Sequence, residues 1–219
     1  MKHTEKELQA LKDEVNGMWR LVLSQLEKAK QSFLTHDVEL AMEVISREKR
    51  VNAFELKIDS DCENYIALFN PVAIDLRLIL SLIKISSTLE RIGDFAEGIA
   101  RHVIGDNCQI DKVLLEELQL ERMFDIVLGM LSDSFVALES ENTKLSGKIL
   151  AKDEEVDELY RNSIDIISAY LQKNPAYIRC GLRQLLVVRK LERIGDHCSN
   201  IVEEIVFYVD AKVLKHEAK

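Results

Sequence analysis

Leu89-Glu90-Arg91-Ile92-Gly93-Asp94 returns 102 positions later as Leu191-Glu192-Arg193-Ile194-Gly195-Asp196. The same six residues twice in a chain of 219 mark one unit written two times. Two further echoes agree. The two prolines both follow asparagine, at Asn70-Pro71 and Asn174-Pro175, 104 positions apart. Val51, Phe54, Ile58 and Tyr65 are mirrored by Val156, Leu159, Ser163 and Tyr170 at an offset of 105. The drifting offset is what small length changes in loops or helix joins produce.

Outward from the first hexapeptide, Leu78, Leu82, Ile85, Leu89, Ile92, Ala96, Ile99 and Val103 recur at spacings of four and three. Val187, Leu191, Ile194, Cys198, Ile201 and Ile205 continue the same frame around the second copy. Both runs are a/d-type seams of packed helices, and Cys198 on the seam reads as a small buried hydrophobe. Asn caps helix N-termini well and Pro suits the first turn, so each Asn-Pro pair predicts a helix start. No alternating strand pattern interrupts the helical periodicity.

The expected fold is therefore all-α, a tandem duplication of a three-helix antiparallel bundle. The six long helices are placed at Thr4–Leu34, Asp37–Phe69, Pro71–Ile104, Asp111–Ser140, Asn142–Lys173 and Pro175–Leu214. The first repeat is expected over 1–106 and the second over 107–219, joined by the turn-rich Gly105-Asp106-Asn107-Cys108-Gln109. Short corners at Thr35-His36-Asp37 and Glu141-Asn142-Thr143 make neighbouring helices antiparallel.

A formal net charge of −9 argues against nucleic acid as a partner, since that requires a basic footprint, and against direct electrostatic anchoring on anionic lipid. No apolar run reaches membrane-spanning length; Leu78 to Ile85 is broken by Ser81 and Lys84. The start, Met-Lys-His-Thr-Glu, has no apolar signal stretch, and Cys62, Cys108, Cys180 and Cys198 show no Cys-x-x-Cys spacing. Reduced thiols and a cytoplasmic location are expected.

The polar half of the hexapeptide carries the chemistry. A Glu and an Asp four residues apart share one helix face, and each Glu follows a seam Leu, so it flanks the buried stripe. Glu90, Asp94 and Glu97 form one strip, and Glu192, Asp196 and Glu203 another, with Ser199 and Asn200 nearby. The preceding helix of each half adds Glu48, Asn52, Glu55 and Asp59, or Asp153 and Asp157. Like charges this dense cost stability unless a cation lies between them. Oxygen ligands favour hard cations (iron, manganese, magnesium, calcium) over zinc. Gly93 and Gly195 each cost a helix about 1 kcal/mol relative to Ala, which suggests that a neighbouring helix or a ligand approaches closely. Salt-bridge duty is expected of Arg91 and Arg193. No Glu-x-x-His, His-Glu-x-x-His, phosphate-cradling glycine loop or Gly-x-Ser-x-Gly appears, and His36 and His102 are single histidines at helix ends. An enzyme is not expected.

The paired hexapeptides, the run Asn70-Pro71-Val72-Ala73-Ile74-Asp75-Leu76-Arg77 and the strips at Glu48–Asp59 and Asp153–Asp157 together resemble the PhoU family across nearly the whole chain. That resemblance implies two three-helix bundles, each with a multinuclear metal site. It would place the first site on Glu90 and Asp94 with Glu48 and Asn52, and the second on Glu192 and Asp196 with Asp153 and Asp157. Asn52 departs from the acidic pattern, and Ile178-Arg179-Cys180 stands where the first half has Asp75-Leu76-Arg77.

The resemblance also implies a non-enzymatic negative regulator of phosphate uptake and of the phosphate-starvation response. Such a protein forms homodimers and links the ATPase subunit of the phosphate ABC transporter to a sensor histidine kinase, peripheral to the inner face of the membrane through those partners. Two other functions stay open at this point. One is an all-α metal-dependent nucleotide pyrophosphohydrolase; the other is a metal-free helical adaptor.

Overall fold

The structure, a computed structural model, describes residues 3–105 and 111–214. Among these, helices α1 (His3–Thr35), α2 (Val38–Phe69), α3 (Ala73–Ile104), α4 (Lys112–Glu117), α5 (Leu120–Glu139), α6 (Ser146–Lys173) and α7 (Ile178–Asp210) account for almost everything, and no strand occurs. Six are long and α4 is a short prelude to α5. Each of α1, α2 and α3 packs on the other two, as do α5, α6 and α7; α3 against α7 and α1 against α5 join the two sets. None of these helices is long and apolar enough to cross a membrane.

Every seam residue named above, from Leu78 to Val103 and from Val187 to Ile205, is buried. The helix starts follow local chemistry where a side chain can supply it. Asp37 caps α2 by accepting from the Leu40 amide at 2.9 Å, and Asp111 caps α4 by accepting from the Val113 amide at 2.9 Å. The contact of α1 with α5 is anchored by Trp19, which is fully buried. Its Nε1 donates to Leu131 O at 3.1 Å and its ring leans on Phe135.

Three expectations need correction. Asn70 does not open a helix. It sits in the left-handed region (φ 46°, ψ 59°) and its amide bonds back to Ile66 O, so it ends α2. Pro71 bars the preceding residue from the right-handed helical region, and α3 begins only at Ala73. At the second pair, Pro175 does sit at the start of a 3-10 turn, Pro175–Tyr177, which leads into α7, while the Asn174 side chain again binds backwards, to Tyr170 O.

The predicted fourth helix is broken between α4 and α5 by Gln119 at φ 49°, ψ 37°. Leu118 and Leu120 are both buried, yet residues two apart face opposite sides of a continuous helix; the break lets both reach the core. Among the cysteines, Cys62 and Cys198 are free and buried, but Cys180 is disulfide-bonded, contrary to the expectation of reduced thiols, because spacing alone does not reveal pairing between distant segments. Cys108 and most of the expected linker, residues 106–109, lie outside the described residues.

Candidate metal centres

The acidic strips meet across antiparallel helices. In the first half α2 brings Glu48 against Glu90 and Asp94 of α3, and one carboxylate oxygen of each lies within 4.8 Å of the others. In the second half Asp153 and Asp157 of α6 meet Asp196 of α7 with the same closeness. The first trio thus takes one acid from the middle helix of its bundle and two from the last, and the second takes two and one.

Burial makes the crowding costly. Glu48 is only 8% exposed, and desolvation first, then Asp94, Glu97 and Glu90, push its carboxyl up to about 7 against the pull of a hydrogen bond from Gln25. Glu90 is raised by burial, Asp94 and Glu55. Glu192 is raised by burial, Asp196 and Asp157, with Arg193 and Arg189 opposing. A divalent cation reverses each of these penalties, because it supplies the opposite charge that the carboxylates lack.

Gln25, from α1, completes the first site and was not legible as a member of it. Its Nε2 donates to Glu48 Oε2 at 2.9 Å and to Val44 O at 3.3 Å. Gln25 Oε1 and Glu48 Oε1 remain buried without a hydrogen-bond partner. Two buried oxygens facing no donor fit a cation. The clue available in sequence is a single amide on the apolar stripe of α1, between Val22 and Ala29. In the second half Ser199 Oγ donates to Asp153 Oδ2 at 2.8 Å, fixing that carboxylate.

Both motif glycines face the acid of the neighbouring helix. A Cβ on Gly93 would stand 3.3 Å from Gln25 Oε1 and 3.4 Å from Glu48 Oε2; on Gly195 it would stand 2.9 Å from Asp153 Oδ1. The close approach expected from sequence is therefore made by the candidate ligands themselves. Of the remaining strip residues, Asn52 is exposed on α2 and Asn200 on α7. Glu55 lies near enough to Glu90 to raise it. Asp59 is raised by burial and Glu63, and the nearby Ser86 hydroxyl donates to Ile83 O at 2.8 Å, away from the trio. Glu192 stands beside the second trio, and Glu203 is not part of it.

The family model described as the PhoU domain matches residues 15–103 and again 120–205. The chain belongs to the PhoU family. A phosphate-specific transport system accessory protein PhoU homolog of Aquifex aeolicus is 34% identical over 218 residues, covering 97% of this chain and 95% of the relative. The PhoU accessory protein of Escherichia coli is 33% identical over 210 residues, covering 96% and 86%. The crystal structure of the phosphate transport system regulatory protein PhoU from Streptococcus pneumoniae superposes with a TM-score of 0.86 at 30% identity, over 97% of this chain and all of that one. PhoU from Pseudomonas aeruginosa gives 0.87 at 29% identity. The PhoU duplication and its all-helical fold are thus those of this chain, and relatives named as phosphate transport accessory proteins support a PhoU-like regulatory role.

Proposed function

We propose that this chain is a metal-loaded, non-enzymatic regulator of phosphate transport. The observation that carries the reading is the convergence of three carboxylates in each half, Glu48, Glu90 and Asp94 in one and Asp153, Asp157 and Asp196 in the other. Glu192 extends the second set and Asn52, by a change of side-chain rotamer, the first. The ligands are oxygens, so the cations are hard ones, iron, manganese or magnesium, and what they supply is positive charge that ties α2 to α3 and α6 to α7. The chain is divided as two repeats, 1–106 and 107–219, each holding one site.

By family, the partners would be the ATPase subunit of the phosphate ABC transporter and a sensor histidine kinase, met by a homodimer at the cytoplasmic face of the membrane. The regulator would hold the starvation response off while phosphate is plentiful. Support comes from relatives named as transport accessory proteins and from a motif set with no nucleophile-and-base pair.

Elemental analysis of protein purified without chelator tests the metal part. Bound iron or manganese, lost in Asp94→Ala and Asp196→Ala together, is the expected result; no metal in the wild type overturns it. Deletion in the native host tests the regulatory part. Starvation genes should switch on in phosphate-rich medium, and unchanged expression refutes the role. Turnover of nucleoside triphosphates with added manganese would favour an enzyme instead.

A further inference from the structure

The third residue of each hexapeptide, Arg91 and Arg193, is the one the metal reading leaves unused. Arg193 reaches Asp196 only at 3.6 Å while half exposed, and Arg91 makes no ion pair among the described residues. Both arginines instead line one cleft, between α3 and α7, that encloses about 520 Å³.

The packing of α3 on α7 explains why they converge. The two helices run antiparallel, with Arg77 Nε donating to Tyr208 O at 3.2 Å near one end and Lys190 lying over Gly98 towards the other. Phe95 and His197, each following the final Asp of its hexapeptide, stack on one another with ring centroids 5.6 Å apart. Residues of the same register in the two copies therefore meet, and each copy sends its arginine to the same place. Arg189 and Lys190 of α7 add two more cations, Lys190 lying 5.8 Å from the Phe95 ring centre. Among the described residues no carboxylate lines the cleft, Glu90, Glu192 and Asp196 lying outside its walls beside Arg91, Arg189 and Arg193, although the chain carries 38 acidic residues against 29 basic ones.

We propose that this cleft binds a small, multiply charged phosphate-type oxyanion. Four cations gathered in a concavity repel one another, and an anion with two or more charges relieves all of them at once. The volume suits a small molecule, and Phe95 and Leu186 give it an apolar wall against which a non-phosphate portion can lie. The His102 imidazole lines the same cleft and is held below its ordinary value by burial first and then by Lys190 and Arg183, in keeping with a positive local potential. The inference does not rest on metal occupancy of the acidic clusters.

Calorimetric titration of the full chain, freed of metal by chelator and dialysis, tests it with pyrophosphate, ATP and sulfate as probes. Saturable binding of pyrophosphate or ATP is expected, weakened at least about tenfold in the double variant Arg189→Gln, Lys190→Gln. Equal affinity for the two assigns recognition to the phosphate groups alone; tighter ATP adds the apolar wall. The wild-type His102 and His197 ring proton resonances should move on addition of either probe, a readout that holds even if the double variant folds poorly. No saturable binding up to about 10 mM, undiminished binding in a folded double variant, resonances that stay put, or binding of an acidic polypeptide alone would each overturn the proposal.

Discussion

Glu48→Gln should stabilise the metal-free protein at alkaline pH and leave it unchanged in acid. Glu48 ionises near 7 in the folded chain instead of at its ordinary 4.5, so between those values the folded state holds a proton that the unfolded state has lost. Stability from this group is complete below about pH 4.5, falls as pH rises through the window, and levels off above about 7. The loss comes to roughly 3 kcal/mol at 1.36 kcal/mol per pKa step, with little solvent screening for a side chain only 8% exposed.

An amide cannot ionise, so the variant escapes that loss. Urea unfolding of chelator-treated proteins at about pH 4, 6 and 8 should give coincident curves at the first and a gap of about 3 kcal/mol at the last. Added manganese should then reverse the order, since the wild type gains about 4.1 kcal/mol from its first site at a metal concentration about a thousandfold above that site's Kd, more than the gap, and the variant gains only from its second site. A variant less stable than wild type at pH 8, or a gap that does not change with pH, would refute the reasoning.

Gly195→Ala should cut metal affinity at the second site about tenfold or more, because a Cβ 2.9 Å from Asp153 Oδ1 displaces a ligand held by Ser199; metal titration followed by differential scanning calorimetry reads it. Gly93→Ala, with contacts of 3.3–3.4 Å, should be milder, and its helix-propensity gain of about 1 kcal/mol should bring net stability near neutral in urea melts. Trp19→Ala should lose about 3–5 kcal/mol, as it empties a fully buried site between α1 and α5 and leaves Leu131 O without its donor; chemical unfolding followed by circular dichroism measures this. Ser199→Ala should lower manganese affinity about tenfold while changing urea stability by only about 1 kcal/mol.

The duplication was readable because its signals are periodic. The seam from Leu78 to Val103 obeys one spacing rule and is wholly buried, and acids one step off that seam had to lie at its edge. What escaped depends on partners distant in sequence. Gln25 belongs to the first site only because α1 packs behind α2 and α3, a relation that no window of sequence contains. Gln119 breaks a helix without glycine or proline; the signal was a phase slip, Leu118 followed two residues later by Leu120, which local propensity does not register. Asn70 misleads because the same side chain that caps an N-terminus also tolerates the left-handed conformation that closes a C-terminus.

Phe95 stacked on His197, its own counterpart in the other hexapeptide, is the contact that a twofold axis makes when a surface meets a second copy of itself. Such self-association normally dissolves on dilution. Here both surfaces belong to one chain, so their meeting is a first-order event with a local concentration of about millimolar, whatever the amount of protein in the cell. The two carboxylate trios consequently hold a constant ratio and a fixed spacing at any expression level, and a partner can treat them as a single two-point landmark.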